Sequence, residues 1–205
     1  MDEDTWKEIF ENEMQDGGIL DLWVFSVDEN FQAQKGWLQY SLCCFARFYC
    51  SICGRNWASS KVHLLFHMKL KMSIGQVKMQ IFRQKCKVCS YGEYEEPIIL
   101  VENAEITIKC LVNRICQKFY KMPIENFPKT FVKDGFQNGP HDRNNCEACS
   151  REICNYVKIQ ENKAKHQAFR NREASRYSRQ SVRPLLNNRS VPQHEPQSNC
   201  CCIIL

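Results

Sequence analysis

Six cysteines fall into three C-x-x-C pairs: Cys50/Cys53, Cys86/Cys89 and Cys146/Cys149. Zinc takes four ligands in a tetrahedron, and thiolate sulfur suits it well. A C-x-x-C turn aims two sulfurs at one point, and a glycine after the second cysteine permits left-handed backbone there. Cys50-Ser-Ile-Cys53-Gly54 has that form, and Cys86-Lys-Val-Cys89 follows it with Gly92 slightly later. The spacing predicts one site built from Cys50, Cys53, Cys86 and Cys89. A second set, His141, Cys146, Cys149 and Cys154, runs H-x4-C-x2-C-x4-C and offers four ligands of its own. In the alternative grouping, Cys146 and Cys149 join an earlier pair in a crossed arrangement and leave His141 or Cys154 spare. The preferred expectation is two structural Zn2+ ions in closed sites, with no open ligand position for catalysis.

Other cysteine chemistry fits less well. A redox C-x-x-C belongs at a helix N-terminus near a βαβ pattern, and none of these pairs sits in one. Secreted disulfide frameworks rarely repeat C-x-x-C. The opening MDEDTWKEIF has no apolar h-region, so no signal peptide and a reducing compartment are expected. Of the fourteen cysteines, Cys43, Cys44, Cys110 and Cys116 fall outside both ligand sets and the C-terminal cluster, and read as small buried hydrophobes. No Ser/His/Asp set or Gly-rich phosphate loop appears, so no enzyme is expected.

The elements that must position these ligands read as a small α+β fold. A length of 205 residues suits one domain with tails, or at most two small domains. A hydrophobic fraction of 43% supplies a core, and a net charge of +5 is too mild to argue for nucleic acid by itself. Residues 5–15 place Trp6, Ile9, Phe10 and Met14 at helical spacing, with Thr5 as the expected N-cap. Residues 61–71 alternate Val62, Leu64, Phe66, Met68 and Leu70 on one strand face, which leaves His63 and His67 on the other, expected exposed or half-buried. Residues 76–85 form the partner strand after a turn at Ser73-Ile74-Gly75, and a third extended run follows at 96–101. An antiparallel hairpin brings its ends together, which is how the first two cysteine pairs can close one site as in a zinc ribbon. Residues 104–121 read as a helix with Ile108, Leu111, Val112, Ile115 and Phe119 in one stripe, Asn103 as cap and Pro123 beyond the end.

The segments Phe48–Trp57, Leu65–Met68, Val77–Cys89 and Gly139–Cys149, in this order, resemble the receptor-transporting proteins, which carry a 3CxxC-type zinc-binding domain. The resemblance runs from about Trp6 to Cys154. It implies a role in bringing chemosensory G-protein-coupled receptors of the odorant and taste types to the cell surface. An interferon-induced branch implies the alternative, an antiviral RNA-binding zinc protein. Members usually end in a hydrophobic anchor, and this chain departs from that pattern, with no apolar run near the roughly 18 residues a span requires.

Residues 158–199 are poor in large apolar residues, and the stretch 158–189 carries nine basic and two acidic residues, a net +7. Such a segment is expected to be a disordered basic linker. The sequence closes Cys202-Ile203-Ile204-Leu205, which has the form of a prenylation signal, with leucine favouring geranylgeranyl. One lipid holds a protein weakly, and Cys200 and Cys201 are candidates for palmitoylation as a second signal. The expected organisation is thus a zinc-binding domain over 1–157, a linker over 158–199 and a lipidated tail over 200–205. That places the protein on the cytosolic face of endoplasmic reticulum, Golgi or plasma membranes.

Overall fold

A 14-residue helix, α1 (Glu3–Asp16), opens the chain and buries Trp6, Ile9, Phe10 and Met14, as its periodicity predicts. Its cap is Asp2 rather than Thr5: Asp2 Oδ1 accepts from Thr5 N at 2.8 Å and from Thr5 Oγ1 at 2.6 Å. A carboxylate at this end also complements the helix dipole. The computed structural model describes residues 1–89, 91–123, 130–137 and 139–154, and the main chain of 203–204. Two compact units are defined, residues 1–151 with 200–205, and residues 152–199. The expected basic linker and the lipidation residues Cys200, Cys201 and Cys202 lie outside the described residues.

The main sheet is built from β1 (Leu22–Val27), β2 (Leu38–Tyr49), β3 (Asn56–Lys71) and β4 (Ile74–Ile81), in the order β1-β4-β3-β2. A two-residue strand, Ile203–Ile204, pairs antiparallel with β2 at Tyr40 and Ser41 on the outer edge. The predicted hairpin is β3–β4, in register from Lys71↔Ile74 to Leu64↔Ile81. Its turn is Met72-Ser73, with φ of 46° and 61°. Two left-handed residues give the tight hairpin turn whose twist matches the strands, so the turn lies one residue earlier than the sequence suggests. The α+β class holds, but the sheet is mixed, because β1 joins β4 in parallel. At that junction Gly75 faces Trp23, and a Cβ on residue 75 would lie 2.1 Å from the indole ring.

Helix α2 (Val101–Phe119) buries Ile108, Leu111, Val112 and Ile115, and joins α1 and one face of the sheet in a single core. It begins three residues before the predicted start, and Asn103 is not its cap. The Asn103 amide instead donates to the carbonyls of Phe45 at 3.2 Å and Val132 at 3.0 Å, and accepts from Val132 N at 2.7 Å. Phe45 stands at a bulge where Cys44↔Val62 is followed by Ala46↔Ser59, so two residues of β3 oppose one of β2. The buried amide thus satisfies a carbonyl beside the break in the ladder. The run 96–101 makes only one bridge, Arg47↔Ile98, before the helix starts, since Pro97 removes a ladder donor.

The second face of β3 is covered as well. His63 and His67 are 7% and 2% exposed, against the expectation from simple alternation. Phe31 packs on His67 at 5.0 Å between ring centroids, and His141 faces His63 at 6.3 Å. A strand covered on both faces has no solvated side to carry polar residues, so a polar side chain there must find partners inside the protein. His67 Nε2 pairs with Gln80 Oε1 at 3.2 Å, and Gln80 Nε2 donates to the carbonyls of Glu29 and Phe31.

Candidate metal centres

The first cysteine pair closes the turn between β2 and β3. Gly54 N donates to Cys50 O at 3.0 Å and Cys50 N to Arg55 O at 2.9 Å, with Gly54 at φ +70°. The predicted knuckle forms as its glycine requires. The second pair sits in the turn between β5 (Gln84–Lys85) and β6 (Tyr94–Glu95), a two-stranded antiparallel ribbon. Gly92 N donates to Cys89 O there. Two ties draw the ribbons together. Trp57 Nε1 donates to Gln84 Oε1 at 3.1 Å, and Glu95 accepts from Ser51 N and Oγ at 2.8 and 2.7 Å.

The result gathers the sulfurs of Cys50, Cys53, Cys86 and Cys89 within 4.8 Å of one another. Cys50 lies 3.7 Å from Cys89, and Cys53 3.8 Å from Cys86. Sulfurs about 2.3 Å from one zinc in a tetrahedron stand about 3.8 Å apart, so the cluster has the dimensions of a four-cysteine zinc site. Its proton affinities are split. Burial pushes the Cys86 thiol up, but main-chain N–H groups of Val88 and Cys89, with Arg55 and Cys53, overcome it and bring it down to about 6. Hydrogen bonding to Cys53, then burial, then Cys50 push Cys89 up to about 12. Four sulfurs this close cannot all ionise unaided, and a divalent cation held among them would supply the missing charge.

The second set is built on one short segment. Cys146 begins α3 (Glu147–Ser150), and its main chain bridges Gln84. Glu147, nearly buried, fixes the turn: its carboxylate accepts from Arg83 N at 2.9 Å and Arg151 Nη2 at 2.6 Å, while its own N–H donates to Arg83 O. Ligand atoms of His141, Cys149 and Cys154 lie within 4.8 Å of one another, with His141 Nε2 3.2 Å from Cys149 Sγ. Cys146 is buried beside this group but is not one of the three. The crossed arrangement of cysteine pairs does not form among the described residues. Sequence reasoning missed two supporting carboxylates, Glu95 and Glu147. Glu147 stands inside the C-x-x-C itself, a position where an acid can reach back to the flanking main chain.

Two hairpin-borne knuckles that share one four-sulfur centre define a zinc-ribbon metalloprotein. The family profile described as a zinc-binding domain, the 3CxxC zinc ribbon, matches residues 43–152. Receptor-transporting protein 4 of Homo sapiens is 34% identical over 156 residues, covering 73% of this chain and 63% of its own length. Receptor-transporting protein 4 of Mus musculus is 37% identical, covering 71% and 61%. Receptor-transporting protein 3 of Mus musculus is 33% identical, covering 75% and 34%. The chain belongs to the receptor-transporting protein family, with its 3CxxC zinc-binding domain. It spans less than two thirds of the length of these relatives. No solved structure matches the chain. No helix among the described residues is long and apolar enough to cross a membrane.

Proposed function

We propose that this protein is a non-catalytic zinc adaptor that promotes the surface delivery of chemosensory G-protein-coupled receptors of the odorant and taste types. The four-sulfur cluster of Cys50, Cys53, Cys86 and Cys89 carries this reading, in a chain related to receptor-transporting proteins. In the proposal two zinc ions are structural. The first is held by those four cysteines. The second is held by His141, Cys149 and Cys154, and Cys146 swings in as the fourth ligand that zinc demands. Zinc fixes the relative positions of β2–β3 and β5–β6, and so presents a defined face to a client receptor.

A tether through Cys202, aided by Cys200 or Cys201, would hold that face on the cytosolic side of a membrane. There a weak contact suffices, because effective concentration is high. The supporting feature is the Cys-Ile-Ile-Leu tetrapeptide over 202–205. The test is co-expression with a panel of odorant and taste receptors and antibody staining of intact cells. Wild-type protein is expected to raise surface receptor severalfold, Cys86→Ser to abolish the gain, and Cys202→Ser to reduce it. No gain from the wild-type protein with any receptor of the panel sinks the proposal.

A further inference from the structure

The basic residues of the fold divide into those held by carboxylates and those that are not. Lys7, Arg47, Lys78, Arg83 and Arg151 all make ion pairs with carboxylates. Arg55, Lys61, Lys85 and Lys87 line one cleft, and none of the four is ion-paired among the described residues. Among the described residues Asp142 is the one carboxylate lining that cleft, and it accepts from Asn144 N at 3.2 Å and Asn145 Nδ2 at 2.8 Å. Four cations against one lining carboxylate leave the cleft net positive, and a concave surface concentrates their field.

Part of this charge has a local use. Four thiolates around Zn2+ leave a net charge of −2, and Arg55 Nη1 reaches to 3.9 Å from Cys86 Sγ. That accounts for Arg55, and Lys85 on β5 places its Nζ 4.6 Å from the Tyr94 ring centroid; neither contact accounts for Lys61 on β3. The wall of the cleft is also stiff. Trp57 stacks on Phe48 at 5.1 Å with ring planes 8° apart, its indole N–H is held by Gln84, and Arg55 lies 5.5 Å from its ring centroid. Gln84 is fixed in turn by donating to Ser59 Oγ at 3.0 Å. Cations around a preorganised polar wall suit a compact, multiply charged oxyanion, to which lysine and arginine donate charge-assisted hydrogen bonds. An extended strand carrying one charge per phosphate matches such a cleft less well.

We infer that this cleft is a binding site for a phosphate monoester, either free in solution or on a lipid headgroup. The test uses the full, zinc-loaded, unlipidated chain at constant ionic strength and follows the Trp57 indole N–H resonance. Inorganic phosphate is expected to shift it saturably, and chloride is not. The variant K61Q/K85Q/K87Q is expected to bind phosphate at least tenfold more weakly. The control K35Q/K71Q/K133Q, which removes as much charge elsewhere, is expected to bind as wild type. Native mass spectrometry showing unchanged zinc content in both variants separates loss of the site from loss of the fold. Phosphatidylcholine vesicles with and without phosphatidylinositol bisphosphate distinguish the sources: a headgroup site broadens the Trp57 resonance only when the monoester lipid is present. Equal phosphate binding by the two triple variants overturns the inference, as does a short single-stranded RNA that binds more tightly than any monoester.

Discussion

The two cysteine clusters are held by different means. The first joins residues more than thirty positions apart in sequence, and its ligands come from the turns of two separate ribbons. An ion held there would act as a long-range crosslink. The second is drawn from residues 141–154, close enough in sequence to gather with little loss of chain entropy. It is fastened to the body through Glu147 and the main chain of Arg83. A ligand lost from the first centre should therefore loosen the domain, and one lost from the second should loosen a corner.

Cys86→Ser is expected to be the most damaging change. Structural zinc contributes about 10–16 kcal/mol of apparent binding energy in small domains, which exceeds the cost of about 2–5 kcal/mol for a typical core truncation. One zinc should disappear from the native mass spectrum, and the cooperative urea transition should be lost or shifted to much lower denaturant. The contrast between the centres fails if the variant unfolds like wild type.

Cys149→Ser should also remove one ion, but leave the urea transition of the sheet nearly in place. Amide exchange should speed up over 139–154 and stay slow in β3 and β4. Cys146→Ser sharpens the comparison. It should lose the same ion if Cys146 completes the second tetrahedron, and full retention of both ions removes Cys146 from the ligand set.

Between the clusters and the helical side stands Asn103. Asn103→Ala leaves a buried carbonyl at Phe45 and both polar groups of Val132 without their partner. Val132 is exposed, so water can take over its two groups, and a loss of about 1–3 kcal/mol follows from the one buried carbonyl left unsatisfied, read as a shift in the urea midpoint with zinc content unchanged.

The smallest effect concerns His67. Burial holds its imidazole below the ordinary value of 6.5, with Gln80 opposing the shift. The unfolded chain therefore takes up the proton first as pH falls. Stability is complete above about 6.5 and declines as pH drops towards the folded value, by at most about 1.4 kcal/mol per pH unit. His67→Gln should show a smaller fall in Tm than wild type between about pH 7 and about pH 5.5. Acid release of zinc is common to both proteins and drops out of the difference.

Much of the first centre was legible because its determinants are local: the C-x-x-C spacing, the glycine after it and the period-two run between the pairs. Helices α1 and α2 were legible for the same reason, through their apolar stripes. What could not be read depends on contacts between distant residues. Leu22–Val27 looks like an ordinary apolar stretch, and only its pairing with β4 makes it a strand. His63 and His67 alternate as exposed residues would, yet the loop after β1 and the segment around His141 bury them. Asn103 has the chemistry of a cap and the position of one, but the Phe45 carbonyl on β2, opposite a bulge on β3, claimed its amide.

Gly75 has a consequence for how the family can vary. Its backbone conformation is ordinary, so nothing local demands glycine; the demand comes from an indole lying against its α-carbon. Positions 23 and 75 therefore constrain each other as a pair. A relative that acquires a side chain at the second must surrender the tryptophan at the first, along with the hydrogen bonds that run from Trp23 to Tyr120 and on to Asp21. Correlated replacement at these two sites, read across many members, would mark which of them keep the opening helix and strand docked in this way.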